Sequence, residues 1–261
     1  MKASALRSAI EADRSAIGSY VMMDNAASAG ILAHLGYDFI VIDQQHAAID
    51  LRGLQSAVAA TKGTSCAPIV RVHPRRPDQI EWALDLGAHG VVVPLVNSPD
   101  DALLATQACR YPPVGRRSVA ALRNVLERGK EYMRESNDDV VCIIQIEHFE
   151  AVECIDEILD IGGIDAVMPG HVDLAMSMGH TIDYGSSVSN AVPDEVAKAM
   201  SVIEVACASR SIPVIPVVGS PKEYGSALQK GQKIACCNTD FHLFMSAAAS
   251  QLAGCKAEEE K

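Results

Sequence analysis

Short runs rich in valine and isoleucine recur along the chain, and they constrain its fold more than any other feature. A strand buried on both faces forms an unbroken apolar run, as in parallel sheets. Eight such strands alternating with helices predict a (β/α)8 barrel, since about 250 residues is the usual size of that fold. An open doubly wound sheet has the same alternation and is the alternative. The strand-like runs are 17–22, 38–42, 68–72, 90–94, 141–146, 165–168, 213–217 and 233–237, and the helix-like stretches are 50–61, 76–86, 98–108, 149–159, 192–209 and 221–230.

Composition and charge argue against several classes of protein. No linker or shift in composition divides the chain, which predicts one barrel domain over residues 1–261. The net charge of −11 and the lack of a lysine- or arginine-rich run argue against a nucleic-acid partner. No apolar stretch approaches the roughly 20 residues of a membrane span. Charges also lie throughout residues 1–20, so we expect neither a membrane span nor a signal peptide.

The cysteines indicate a reducing compartment. There are 8 of them without a C-x-x-C pair, and Cys142, Cys236 and Cys237 lie in predicted strands. A chain of this length does not need disulfides to hold its core together. We therefore expect reduced, buried thiols in a cytoplasmic protein.

Ionisable and amide side chains gather where the predicted strands end. They follow four strands, in the segments 43–46, 71–73, 145–148 and 169–180. Barrel enzymes build their active sites at this end of the strands. One such residue alone is usually a cap or a surface group, but the repetition at four strand ends predicts an active site on this rim.

Two carboxylates on this rim could hold a metal. Glu147 and Asp173 follow neighbouring strands, and such a pair, with open positions for water and substrate, suits Mg²⁺ or Mn²⁺. Zinc would need nitrogen or sulfur ligands, which His73, His148 and His171 could supply. Alternation along the strand, however, directs His148 away from Glu147. Ion pairs between the carboxylates and rim arginines are the remaining alternative.

An arginine and a histidine supply the other groups that enolate chemistry on a 2-oxo acid requires. Arg71 should point into the barrel, where its guanidinium could hold a carboxylate or stabilise an oxyanion. His46 is a candidate general base; the alternative is a histidine that Asp43 satisfies structurally. No lysine lies at these strand ends, which disfavours a Schiff base.

Six segments resemble, in the same order, motifs of the HpcH/HpaI family of metal-dependent pyruvate aldolases. The resemblance spans residues 15–250 and implies a (β/α)8-barrel carbon–carbon lyase. It also implies a divalent cation (Mg²⁺, Mn²⁺ or Co²⁺) and cleavage of a 4-hydroxy-2-oxo acid into pyruvate and an aldehyde, or the reverse. The segments are GYDFIVIDQQHAAID, APIVRVHP, ALDLGAHGVVVPLVNS, RYPPVGRRS, IIQIEHFEAVECIDEIL and GIDAVMPGHVDLAMSMGH.

The resemblance implies a role for each residue that matches a family motif. The metal ligands would be Glu147 and Asp173, and the transition-state stabiliser would be Arg71. The base would be His46, at the mouth of the site with Asp43, and Asp85 would support its basicity. The 2-oxo acid would be held by Gln145 and by the backbone around Gly170, His171 and Val172.

The position of Asp85 conflicts with that role. The helical pattern places Asp85 at the end of a helix, on the opposite rim from His46. Either Asp85 serves the site of a neighbouring subunit or the helix ends elsewhere. Members of the family typically form hexamers with exchanged C-terminal helices, so the resemblance implies a homo-oligomer, a hexamer or a trimer, in which 240–253 is exchanged.

Several positions depart from the family pattern. Gln45 stands where the family usually has glutamate, which should lower the basicity of His46 because a nearby anion favours imidazolium. His73 and His171 stand where proline is common, and Ser118 stands where glycine is common. These changes fit an altered substrate preference.

Two alternatives to the aldolase function remain. One is oxaloacetate decarboxylation through the same enolate, which the segment 111–118 slightly favours. The other is a non-catalytic keto-acid binder.

Overall fold

A parallel barrel forms the centre of the protein. The computed structural model describes residues 4–74, 76–120, 122–181 and 192–259. The strands are hydrogen-bonded in the order β6-β5-β4-β3-β2-β1-β8-β7. Just before β7, Val214 bridges Val167 of β6, and the Ile215 N–H donates to the Val167 carbonyl at 2.8 Å. The (β/α)8 prediction is therefore confirmed and the open sheet is wrong. The strands are β1 Ala16–Val21, β2 Phe39–Asp43, β3 Ala67–Arg71, β4 Gly90–Val93, β5 Val141–Ile146, β6 Ala166–Pro169, β7 Val217–Val218 and β8 Ile234–Thr239.

Helices cover the outside of the barrel, and several begin at capping residues. Asp50 accepts hydrogen bonds from the N–H groups of Arg52 and Gly53, and Ser98 and Ser220 cap helices with proline at the first turn. The predicted helix 149–159 is divided at Cys154 into α8 and α9. The helices are α1 Ala5–Glu11, α2 Ala26–Leu35, α3 Leu51–Ala60, α4 Pro77–Asp85, α5 Pro99–Cys109, α6 Leu122–Arg128, α7 Tyr132–Asp139, α8 Phe149–Glu153, α9 Ile155–Leu159, α10 His171–Ser177, α11 Asp194–Ser209, α12 Pro221–Gln229 and α13 Asp240–Glu259.

Strand alternation divides the buried side chains into two cores. Val41, Ile69 and Ile143 belong to the core inside the barrel, whereas Ile42 and Ile144 pack with the helices outside it. Residues that continue the inner rows toward the strand ends also point inward. These residues are Asp43 on β2, Arg71 on β3, and Gln145 on β5.

The cysteines only partly match the prediction. All eight are free. The expectation of burial is wrong for Cys255, which is exposed on α13, and Cys154 and Cys237 are half-buried. The buried thiols are Cys66, Cys109, Cys142, Cys207 and Cys236.

Helix α13 contacts the barrel at its first residue. The Asp240 carboxylate accepts hydrogen bonds from the Met22 N–H and the Ser28 hydroxyl, both at 2.8 Å. Beyond this anchor the helix exposes large apolar side chains: Phe241, Leu243, Phe244, Met245 and Leu252. No helix in the described ranges is long and apolar enough to cross a membrane.

Candidate active site

A buried ion pair joins the ends of β2 and β3. The Arg71 Nε donates to Asp43 Oδ1 at 2.9 Å, and the Arg71 Nη2 donates to Asp43 Oδ2 at 2.6 Å. The Asp43 side chain is fully buried, and that of Arg71 is 12% exposed. Two parallel contacts of this kind fix the position of the Nε–Nη2 edge of the guanidinium. Both side chains thus lie at the ends of neighbouring strands, β2 and β3.

Asp43 also shapes the turn that carries the histidine. Its Oδ1 accepts hydrogen bonds from the N–H groups of Gln45 at 3.0 Å and of His46 at 3.3 Å. The imidazole of His46 is exposed beyond this turn. Asp43 therefore holds the backbone of His46, and the imidazole remains accessible at the mouth of the barrel.

Glu147 is held by two hydrogen bonds just past β5. Its Oε1 accepts from the Leu95 N–H at 2.8 Å, and its Oε2 accepts from the Gln145 amide at 3.0 Å. Gly170 makes room for this carboxylate, because a Cβ at that position would lie 2.6 Å from the Glu147 Oε2. The Gln145 Oε1 is buried and has no hydrogen-bond partner among the described residues.

The electrostatics of this group favour a cation. Burial raises the pKa of Glu147, and the nearby Asp173 charge raises it further, while the Leu95 hydrogen bond and Arg71 oppose the shift. Neither carboxylate forms an ion pair with an arginine in the described part of the chain. The described rim arginine Arg71 binds Asp43 instead, and the ion-pair alternative stays a prediction. Two neighbouring carboxylates supply the oxygen ligands that Mg²⁺ or Mn²⁺ prefers.

Histidine ligation of zinc does not fit this site. His148 lies outside the inner row, where its Nδ1 accepts a hydrogen bond from the Glu150 N–H at 3.3 Å and caps α8. Within the described ranges, no group of three or more His, Cys, Asp and Glu side chains could hold a metal ion. A metal on this rim would thus have two carboxylate ligands and open positions for water or substrate.

Comparison with known proteins identifies the family of the chain. The profile of the HpcH/HpaI aldolase/citrate lyase family matches residues 16–247. The chain belongs to this family. It is 33% identical over 245 residues to 2-dehydro-3,6-dideoxy-6-sulfogluconate aldolase of Pseudomonas putida, with 93% of each chain covered. It is 30% identical over 246 residues to 5-keto-4-deoxy-D-glucarate aldolase of Citrobacter koseri, with 92% of each chain covered. The protein is an aldolase, a carbon–carbon lyase.

Solved structures agree on the fold. An HpcH/HpaI aldolase/citrate lyase family protein from Burkholderia cenocepacia superposes with a TM-score of 0.86 at 27% identity, covering 97% of this chain and 99% of that one. Macrophomate synthase superposes with a TM-score of 0.88 at 23% identity, covering 98% of this chain and 89% of that one, and this similarity concerns the fold alone.

The remaining rim residues of the aldolase lie around α10. His171 is the first residue of this helix, Val172 is half-buried, and Asp173 is exposed in the first turn. Burial lowers the pKa of His171, and Asp173 and Glu223 oppose the shift. Gly170 caps the helix without a side-chain hydrogen bond, which leaves the first N–H groups open to a ligand. His73 is exposed at the end of β3.

Asp85 lies where the sequence pattern predicts, at the last residue of α4. Its carboxylate accepts a hydrogen bond at 2.7 Å from Arg117, whose guanidinium stacks on the Tyr111 ring at 4.5 Å. The segment RYPPVGRRS therefore binds Asp85 within the same chain, and the helix boundary is not the source of the conflict. The role of Asp85 beside His46, in the site of a second copy of the chain, stays a prediction.

Sequence reasoning missed two residues that support the site. Leu95 lies after β4 with a φ of 53° and directs its N–H to Glu147. The Tyr20 ring on β1 lies 4.8 Å from the guanidinium carbon of Arg71. No local pattern indicates the first contact. The inward position of Tyr20, next to the end of β1, could have indicated the second.

Proposed function

We propose that this aldolase cleaves a 4-hydroxy-2-oxo acid into pyruvate and an aldehyde, or forms it in reverse, with a divalent cation held by Glu147 and Asp173. The observation that carries the proposal is the buried carboxylate of Glu147, which lies beside a second acid and the free oxygen of Gln145. The names of the relatives from Pseudomonas putida and Citrobacter koseri, which describe keto acids, support the substrate class.

The residues of the chain divide the chemistry among them. Glu147 and Asp173 would hold the cation, which when bound would polarise the 2-oxo group of the substrate. Asp43 binds the Nε and Nη2 of Arg71. The remaining nitrogen, Nη1, has no partner among the described residues. This edge donates to the oxygen on which negative charge develops. His46, accessible at the mouth, takes the proton of the 4-hydroxyl group.

The substrate carboxylate is bound at the start of α10. The open N–H groups around Gly170, His171 and Val172 favour an anion at this helix end. Gln145 completes the pocket, since its amide is fixed by Glu147 at 3.0 Å. Together these groups orient the 2-oxo acid without a lysine.

The two histidines that replace family prolines select the acceptor aldehyde. Burial lowers the pKa of His171 and so favours the neutral imidazole, which can donate one hydrogen bond, whereas His73 is exposed. His171→Ala and His73→Ala should each lower kcat/KM for an acidic aldehyde about fivefold or more while sparing an apolar aldehyde of similar size. Equal losses for both aldehydes would mean that the histidines only shape the loops.

The metal can be tested with pyruvate alone. Proton exchange at the pyruvate methyl, followed by NMR in D₂O, should require Mg²⁺, Mn²⁺ or Co²⁺ and should stop in a chelator. Glu147→Ala and Asp173→Ala should abolish exchange, while the control Glu150→Ala, an exposed acid on α8, should not. Full exchange in metal-free protein would contradict the mechanism.

The same preparation separates the competing activities. Release of CO₂ from oxaloacetate, without cleavage of any 4-hydroxy-2-oxo acid, would identify a decarboxylase. Binding of pyruvate without proton exchange would identify a keto-acid binder.

We also propose a cytoplasmic homo-oligomer, a hexamer or a trimer, that exchanges α13 between subunits. The apolar side chains exposed along α13, such as Phe244 at 67%, support a partner surface, and the free cysteines fit a reducing compartment. Removing the residues after Thr239 should reduce the number of subunits per particle, as measured by light scattering. Mixing inactive His46→Ala and Asp85→Asn subunits should restore activity if Asp85 serves a neighbouring site. No recovery in verified mixed oligomers would oppose that role.

A further inference from the structure

Tyr20 connects opposite sides of the barrel mouth beneath the reactive arginine. It lies on β1, and its ring is 4.8 Å from the guanidinium carbon of Arg71 on β3. Its hydroxyl donates to the Met168 Sδ on β6 at 3.0 Å. The side chain thus has a fixed outer end and a face directed at Arg71, although only 4% of the residue is exposed.

Asp43 alone restrains only one edge of the guanidinium. It binds Nε and Nη2, but the two contacts act as a hinge about which the plane of the group can rock. The ring of Tyr20 supplies the missing restraint, because the negative face of an aromatic ring attracts a cation that lies over it. Burial raises the pKa of the Tyr20 phenol, so the ring stays neutral.

A purely structural core residue would not need this arrangement. Phe39 belongs to the same inner core, is fully buried and packs against Gly18. Tyr20 instead buries a hydroxyl whose acceptor is a thioether, and sulfur is a weak acceptor. Packing alone could be served by leucine, which has no aromatic face to present to a cation.

We propose that Tyr20 is a positioning residue of the aldolase, which together with Asp43 holds the free Nη1 edge of Arg71 toward the 2-oxo acid. The proposal rests on the function proposed above for Arg71. Tyr20 acts through the guanidinium, so its removal affects the reaction only while an arginine is present.

Kinetics with matched substitutions test this role. Tyr20→Leu removes the ring and should lower kcat/KM for a cleaved 4-hydroxy-2-oxo acid about 10- to 30-fold, mainly through kcat. Tyr20→Phe keeps the ring and should restore activity to within about threefold of the wild type. The control Phe39→Leu should lower the melting temperature at least as much as Tyr20→Leu, with kcat and KM unchanged.

A double-mutant cycle separates positioning from general loosening of the barrel. In an Arg71→Lys background, Tyr20→Leu should have little further effect, whereas independent effects would multiply. Multiplicative losses, or an equal loss of kcat/KM in Phe39→Leu, would overturn the proposal.

A measurement without turnover distinguishes failure of this inference from failure of the proposed function. In protein labelled with ¹⁵N-arginine, the ring current of Tyr20 should shift the Arg71 side-chain N–H signals upfield. This shift should persist in Tyr20→Phe and disappear in Tyr20→Leu. An inactive wild-type enzyme with this shift would contradict only the proposed function. Identical Arg71 signals in wild type and Tyr20→Leu would overturn the role of Tyr20.

Discussion

Removing the Arg71 side chain should destabilise the barrel by several kcal/mol, because Asp43 would remain buried without its counter-charge. Asp43 is fully buried and Arg71 is 12% exposed. Unit charges about 4 Å apart attract each other by about 4 kcal/mol at an effective dielectric constant of about 20. Breaking such a buried pair from one side costs about 3–5 kcal/mol. We therefore expect Arg71→Leu to lower the free energy of unfolding by about 3–5 kcal/mol, out of the 5–15 kcal/mol typical of a domain.

Neutralising the abandoned carboxylate should recover part of this loss. Asn at position 43 keeps an oxygen that can accept the N–H groups of Gln45 and His46, as Oδ1 does now. The Asp43→Asn change in an Arg71→Leu background removes the uncompensated charge but preserves the turn. The double variant should thus be about 2 kcal/mol more stable than Arg71→Leu alone.

Urea unfolding followed by circular dichroism, at pH 7.5 and one fixed protein concentration, measures both effects. The matched control is Arg76→Leu. Arg76 binds Asp78 with the same two-pronged geometry, at 3.0 and 2.6 Å, but these side chains are 56% and 41% exposed. The control should unfold like the wild type. Unfolding of Arg71→Leu at the same urea concentration as Arg76→Leu, or a double variant less stable than Arg71→Leu, would show that the Asp43 charge is not stabilised by Arg71.

Three further substitutions have defined outcomes. Gly170→Ala adds a methyl 2.6 Å from the Glu147 Oε2. It should lower the free energy of unfolding in urea by about 1–3 kcal/mol. It should also weaken Mn²⁺ binding, measured by calorimetry, about tenfold. Gln45→Glu places an anion near His46 and should move the acid limb of the kcat/KM profile upward by up to roughly one pH unit; an unchanged limb would mean that residue 45 faces away from the imidazole. Burial lowers the pKa of His89 from 6.5 to about 4, so the fold favours the neutral imidazole. The stability that this provides is fully present above pH 6.5, and the free energy of unfolding should fall by about 3 kcal/mol as the pH is lowered to 4. Urea titrations of His89→Asn should lack that loss.

Residues at the strand ends could be predicted because strand alternation is strict. The inner row that contains Ile69 continues to Arg71, and the row that contains Ile143 continues to Gln145. His148 lies on the other side and caps α8, as the same alternation requires. The carboxyl ends of parallel strands meet at one rim, so these side chains approach each other although they are distant in the sequence.

Predictions failed where local chemistry interrupts a pattern. The run 213–217 predicts a full strand, yet β7 covers only Val217–Val218. Pro213 and Pro216 lack the N–H groups that a strand ladder needs, although their carbonyls still accept bonds from Val167 and Cys236. Contacts that depend on backbone geometry, such as the Leu95 N–H to Glu147, leave no signal in the sequence.

The candidate site consists of two groups of residues, and contacts within one chain fix only the first of them. Glu147, Gln145 and Arg71 are fixed by hydrogen bonds within the chain. The imidazole of His46 is exposed and has no side-chain partner in the described ranges, whereas Asp85 is bound to Arg117. The groups proposed to polarise the substrate are thus fixed within one chain, whereas no described side chain of that chain contacts the imidazole of the proposed base. This asymmetry explains why strand alternation predicts the first group from the sequence of one chain, whereas the position of Asp85 appears as a conflict.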